Sequence, residues 1–231
     1  VIEEVAGQAP IIVHVGALST DATVMLAKDA KRAGASAVSS LPPIYYPVGL
    51  EGMMAHIRAV AQAAELPTYY YHIPMLTGVD LDADGVVEEF SKVEGLVGLK
   101  FTHFDLFMLW WIVDAAAGRL RVFNGADQML FQGLCAGAVG GIGSTYNYQT
   151  ANIVAVHEAV KAGDLERARR AQARANAVIR VMFRHGCGLP VEKAIMKLRG
   201  FDVGPPRGPF PAFPEERLDA LRMDIERVGV L

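Results

Sequence analysis

The chain has 231 residues, 52% of them hydrophobic and 20% charged, with a formal net charge of -3. Such a composition suits a globular protein with a large core, and with no basic cluster it gives no reason to expect a nucleic acid partner. The longest apolar stretch, around LFMLWWIV, stops at Asp114 and is too short to span a bilayer; with no signal peptide visible, no membrane partner and a cytoplasmic location are expected.

In chain order, the opening VIEEVAGQAP reads as the end of a helix, and six apolar, β-branched runs follow. They are IIVHVG (11–16), AVSSLPP (37–43), TYYYHIP (68–74), VGLKF (97–101), RVFNG (121–125) and AVGGIGS (138–144), each ending in Gly, Pro or a small polar residue. Helical stretches separate most of them. After the first run, Ser19, Thr20 or Asp21 can cap a helix that stops near Gly34; after the third, Asp82 or Asp84 opens another through Val86, Val87 and Phe90. The spacing matches βα units, and the nearly continuous apolar runs predict parallel strands covered on both faces. Such units build either an open doubly wound sheet or a closed barrel. No GxGxxG follows the first run, which disfavours dinucleotide binding.

Beyond residue 150 the pattern is helical, broken at Gly163-Asp164, with a further helix in PVEKAIMKLRG, a Pro-rich loop and a last helix from about Pro214 to Val228. The expected division is an α/β part over residues 1–150 and a helical layer over residues 151–231. The basic run from Arg167 to Arg174, interleaved with Ala and Gln, reads as a solvated helix face. The two cysteines, Cys135 and Cys187, lie in Gly-rich apolar settings without a CxxC pair. Reduced, buried thiols are expected, with neither disulfide nor zinc. The six histidines show no metal-ligand spacing.

In a parallel barrel the chemistry lies at the C-terminal ends of the strands. That rule singles out Tyr71, Lys100 and Thr102, residues 124–128 and residues 141–145. Lys100 ends an apolar strand. It can lay its methylene stem over apolar surface with the ammonium in water. Held in a poorly solvated barrel, it can instead act as a neutral amine and form a Schiff base with a keto substrate. Tyr71 lies one strand earlier, where a phenol beside an iminium can relay protons; the ordinary alternative is a core tyrosine.

YYYHIPMLTG, GLKFTHFD, FNGADQ and GGIGSTYNY, in that order and with VHVGALS before and GPPRGP after them, resemble the N-acetylneuraminate lyase / dihydrodipicolinate synthase family of class I aldolases. The resemblance implies a (β/α)8 TIM barrel with a C-terminal helical extension, residues 1–150 carrying strands three to eight and the remainder the final barrel helix and helical layer. It implies Lys100 as the Schiff-base lysine, Tyr71 as the proton relay, and Thr102 as a hydroxyl orienting the substrate. Gly125, Asp127, Gln128 and Ser144 match positions on the sugar-acid hydroxyls, and Tyr45 a tyrosine sent into a neighbouring subunit's site. Leu76 stands where the synthase branch has a carboxylate-binding arginine, which agrees with the lyase branch. Gln128 stands where the lyase pattern has Glu, keeping hydrogen-bonding capacity without the charge.

The implied reaction is cleavage of N-acetylneuraminate to pyruvate and N-acetylmannosamine. The alternatives are another pyruvate-dependent aldolase or dehydratase acting on a different 2-keto sugar acid, and a non-catalytic keto-acid binder. The partners expected are the 2-keto sugar acid, pyruvate and further copies of the chain in a homotetramer; no cofactor and no metal are expected. Six strands are two short of a closed barrel; the resemblance implies that the missing ones are the first two, with the Gly-Ser/Thr-rich carboxylate loop after the second, and these are expected to lie outside this chain, as part of a longer protein or lost from it.

Overall fold

Each of the six apolar runs forms a strand in a computed structural model that describes residues 1–46 and 48–230. The strands are β1 (Ile12–His14), β2 (Ala37–Ser40), β3 (Thr68–His72), β4 (Leu96–Phe101), β5 (Arg121–Asn124) and β6 (Gly140–Gly141). They form one sheet in chain order, β1-β2-β3-β4-β5-β6, and every neighbouring pair is parallel. The ends of the runs are trimmed for physical reasons. Strand β2 stops before Pro42 and Pro43, which have no N–H to give a neighbouring strand. The sixth run keeps only two residues, both glycine.

The chain divides into two compact units, Val1–Ala126 with Ala136–Gly141, and Asp127–Cys135 with Ile142–Leu231. In the first unit, helices alternate with the strands: α1 (Ile2–Val5), α2 (Thr20–Arg32), α3 (Leu50–Ala64), α4 (Pro74–Thr77), α5 (Ala83–Ser91) and α6 (Leu106–Ala116). Capping residues start them. Ser19 Oγ accepts from the Ala22 N–H, Asp82 from Gly85 and Asp105 from Met108, each relieving one of the amides that a helix start leaves unpaired. Helices α2, α5 and α6 each turn one stripe inward: Thr23, Ala27 and Ala30 on α2, Val86, Val87 and Phe90 on α5, Leu109, Ile112 and Ala116 on α6.

Those stripes pack on one face of the sheet. Tyr70, Leu99, Phe101 and Val122 meet Met53, Ile57, Phe90, Leu109 and Ile112, while Val15 and Val38 meet Ala27, Ala30, Val60 and Ala64. Side chains alternate along a strand, so the residues between them, His14, Ser39, Tyr71, Lys100 and Phe123, belong to the opposite face. Gly98 also lies on β4, where a Cβ would fall 2.1 Å from the Arg121 carbonyl oxygen. Only glycine lets β4 and β5 approach so closely.

The second unit is helical apart from two short 3-10 turns at Asp127–Met129 and Glu215–Arg217: α7 (Leu130–Cys135), α8 (Tyr146–Lys161), α9 (Leu165–Arg184), α10 (Leu189–Leu198) and α11 (Leu218–Arg227). Asp164 caps α9 by accepting from the Arg167 N–H, as the Gly163-Asp164 break predicts. Helix α9 buries Ala168, Ala171, Ala175, Val178 and Met182 and leaves its arginines in water. The cysteines correct the expectation of buried thiols: Cys135 and Cys187 are both free and exposed. Cys187 lies in the turn between α9 and α10 at φ +53°, where the backbone itself carries the residue out of the packed stripe. Among the described residues, no helix is long and apolar enough to cross a membrane.

Two buried histidines in the first unit behave differently. His56 is bridged at both nitrogens, Nδ1 to Thr20 Oγ1 at 3.0 Å and Nε2 to Ser40 Oγ at 3.3 Å. His72 is fully buried between Tyr70 and Phe101 without a hydrogen bond at either nitrogen among the described residues, the Asp80 carboxylate standing 3.8 Å from Nε2. Burial lowers its pKa to about 4, against a smaller opposing pull from Asp80. Because the unfolded chain binds this proton first, stability is complete above pH 6.5 and is lost as pH falls from 6.5 toward about 4. At about 1.4 kcal/mol per pH unit this is on the order of 3 kcal/mol. Urea denaturation at pH 7 and pH 5 should show this loss, and His72→Phe should reduce it; an unchanged pH slope in the variant would assign the acid sensitivity to other groups.

Candidate active site

Strand β4 decides where the lysine points. Leu99 and Phe101 are 0% and 1% exposed in the helix-covered core, so Lys100 between them must project from the other face. The parallel register places Tyr71 directly opposite Lys100. The Lys100 Nζ stands 4.1 Å from the centre of the Tyr71 ring, close enough for the ammonium to interact with the ring's π face.

Thr102 and Gly125 complete this group at the strand ends. The Thr102 N–H donates to the His72 carbonyl at 2.8 Å and the Gly125 N–H to the Phe101 carbonyl at 2.7 Å, so both residues continue the strand ladder. A Cβ on Gly125 would lie 1.9 Å from Thr102 Oγ1 and 3.0 Å from Lys100 Cε. The missing side chain is what makes room for both. Thr102 Oγ1 is buried and has no hydrogen-bond partner among the described residues. Tyr45 is 74% exposed, and its ring contact is with Tyr46, edge-on at 4.8 Å.

His14 was not singled out by sequence reasoning, yet it lies on the same face. Its ring meets Tyr71 edge-on, with centroids 5.8 Å apart and planes at 86°. Its Nδ1 is 3.1 Å from Ser39 Oγ, on the residue directly across the β1–β2 pair. Although His14 is exposed, partial burial of the ring and then the Lys100 ammonium lower its pKa below the ordinary value. The available signal was its place two residues after Ile12 at the end of a short apolar run.

Asp127, Gln128 and Ser144 form a separate group in the second unit. Asp127 is 7% exposed; its Oδ2 accepts from the Thr145 N–H at 2.9 Å and the Thr145 hydroxyl at 2.6 Å. A Cβ on Gly143 would collide with that carboxylate. From α9, Gln172 Nε2 donates to the Asp127 carbonyl and Asn176 Nδ2 to the Gln128 carbonyl, which holds the turn in place while the Gln128 side chain stays half-buried. The exposed Ser144 donates its hydroxyl to Glu192 Oε1 at 2.8 Å. Glu192, on α10, was also absent from the sequence reading; burial raises its carboxyl pKa, the Ser144 bond works against that, and the Asp127 charge adds to it.

The model of the dihydrodipicolinate synthetase family matches residues 1–228. The chain belongs to this family. It is 37% identical over 217 residues to an N-acetylneuraminate lyase of Rhizobium meliloti (strain 1021), covering 94% of this chain and 71% of that one. It is 36% identical over 231 residues to an uncharacterized DapA-like lyase of Halobacterium salinarum, covering 100% of this chain and 75% of that one. Among solved structures, a Ruminococcus gnavus sialic acid aldolase described as a catalytic lysine mutant superposes with a TM-score of 0.93 at 27% identity, over 98% of this chain and 75% of that one. With this family and these relatives, the chain is a carbon–carbon lyase.

Gly125→Ala should destabilise the fold by about 1–3 kcal/mol, as overpacking a closely fitted site does, and displace Thr102 and Lys100. Urea denaturation reads the first effect. An unchanged midpoint would mean that the strand ends yield easily and that the contact is not restrictive.

Proposed function

We propose that this lyase is a class I aldolase that cleaves N-acetylneuraminate to pyruvate and N-acetylmannosamine through a Schiff base on Lys100. The observation that carries the reading is the amine of Lys100 over the Tyr71 ring, the two residues being direct cross-strand partners. The relatives named N-acetylneuraminate lyase support the substrate, and the lysine mutant of the Ruminococcus gnavus aldolase supports the amine chemistry. In this reading the six strands correspond to six of the eight in a (β/α)8 barrel.

The neutral Lys100 amine adds to the C2 keto carbon of the open-chain sugar acid, and loss of water gives the iminium. Tyr71, acting through the substrate carboxylate, takes the C4 hydroxyl proton. The C3–C4 bonding electrons flow into the iminium, which releases the aldehyde sugar and leaves an enamine. Protonation at C3 and hydrolysis release pyruvate and regenerate the amine. The iminium is the electron sink that lowers the main barrier, so the reaction needs no cofactor. Thr102 orients the substrate, and Gly125, Asp127, Gln128 and Ser144 contact its hydroxyls. Tyr45 serves a neighbouring subunit.

Gln128 and the DapA-like relative favour a second reading, an aldolase or dehydratase of the same family acting on another 2-keto sugar acid. Pyruvate release measured across a panel of such acids separates the two. N-acetylneuraminate should be the preferred substrate; a clear preference for another member overturns the first reading.

Two further outcomes are expected. Pyruvate with borohydride should leave a covalent adduct on the peptide containing Lys100, and an adduct elsewhere, or none on folded protein, rules out the Schiff base there. Tyr71→Phe keeps the ring and should lower turnover by ~10²–10⁴, the usual worth of a positioned proton-transfer group. Nearly unchanged turnover would return Tyr71 to a packing role.

A further inference from the structure

Resting on the Schiff-base reading, one residue beside Lys100 and Tyr71 has no part in the reaction as written. His14 has two contacts on this face, and Gly16 leaves room beside it. Ser39 Oγ lies 3.1 Å from its Nδ1. The Tyr71 ring receives it edge-on at 5.8 Å. Gly16 passes beneath its outer edge so closely that a Cβ there would stand 2.8 Å from Nε2 and 3.0 Å from Cε1. His14 is itself exposed, so the Ser39 bond and the Tyr71 ring are what fix its position.

We propose that His14 is a positioning residue for the proton relay: anchored on Ser39, its ring, perpendicular to that of Tyr71, holds the Tyr71 phenol in the orientation that faces Lys100.

The choice of an imidazole follows from the geometry. A phenylalanine could supply the ring edge, because an aromatic edge carries partial positive charge and is attracted to the face of another ring. It could not bond back to Ser39. An alanine would supply neither. The imidazole does both, and partial burial and the Lys100 ammonium oppose its protonation. An imidazolium here would repel the lysine. Tyr71 thus has its π face toward the amine on β4 and its ring against a second ring reaching from β1.

A double-mutant cycle tests this through the hydroxyl that His14 is proposed to orient. His14→Ala should lower kcat for pyruvate release about three- to tenfold with KM within about twofold, the scale of a lost edge-to-face ring contact. His14→Phe should restore most of that loss. In a Tyr71→Phe background, His14→Ala should cost nothing further, because no hydroxyl is left to orient. Losses that multiply, or a raised KM at unchanged kcat, overturn the proposal; the second result would make His14 a substrate contact.

A second measurement does not depend on turnover. In protein labelled on its tyrosine rings, the Tyr71 resonance, assigned by its disappearance in Tyr71→Phe, should move in His14→Ala. A resonance that stays in place overturns the proposal. Absence of a pyruvate adduct on Lys100 in the wild-type protein would instead defeat the aldolase reading, while the resonance still reports whether His14 sets the ring.

Discussion

Packing on β4 governs the arrangement of the first unit. Leu99 and Phe101 are committed to the core beneath α5 and α6, and a strand has only two faces, so burying those two residues drives Lys100 to the opposite one. A shift of one residue would bury the ammonium among Phe90, Leu109 and Ile112 and expose two large apolar side chains. The hydrophobic register therefore also sets the position of the chemistry. Strand β3 obeys the same constraint: Tyr70 and His72 face the helices, which leaves Tyr71 for the lysine. Glycines at 98 and 125 then let the neighbouring backbone close on the lysine's strand.

Much of this was legible in the sequence because it is local. Continuous β-branched runs gave all six strands, and Ser19, Asp82 and Asp164 marked helix starts because a short polar side chain before an apolar stripe has a specific amide to satisfy. The pairing of Tyr71 with Lys100 followed from their matching places at the ends of successive strands. The residues missed depend on distance. His14 reaches Tyr71 from β1, two strands away, and Glu192 reaches Ser144 from 48 residues later in the chain. Neither contact has a periodic signature. Cys187 was misjudged because apolar neighbours in sequence say little about exposure at a turn, where the backbone sets direction, and Cys135 because it ends α7 on an exposed position.

Three histidines of the first unit show how one residue type is put to different uses by its partners. His56 joins α3 to Thr20 and Ser40 and serves as a satisfied polar link inside the core. His72, fully enclosed, gives the core an acid-sensitive point. His14 reaches a more open face and holds a ring. All three have a pKa lowered mainly by burial, and they differ in which atoms they touch.

Thr102 links stability to binding. Its hydroxyl is buried at the strand ends without a hydrogen-bond partner among the described residues, placed there by a backbone bond to β3 and given room by Gly125. Keeping a polar atom in that condition costs the folded protein free energy that an apolar isostere such as valine would not. A ligand group that bonds the hydroxyl recovers the cost on arrival, without breaking an existing protein bond. The same atom that weakens the empty protein therefore sharpens its preference for the occupied state, and ligands that satisfy the hydroxyl will raise the melting temperature more than equally sized ligands that leave it bare.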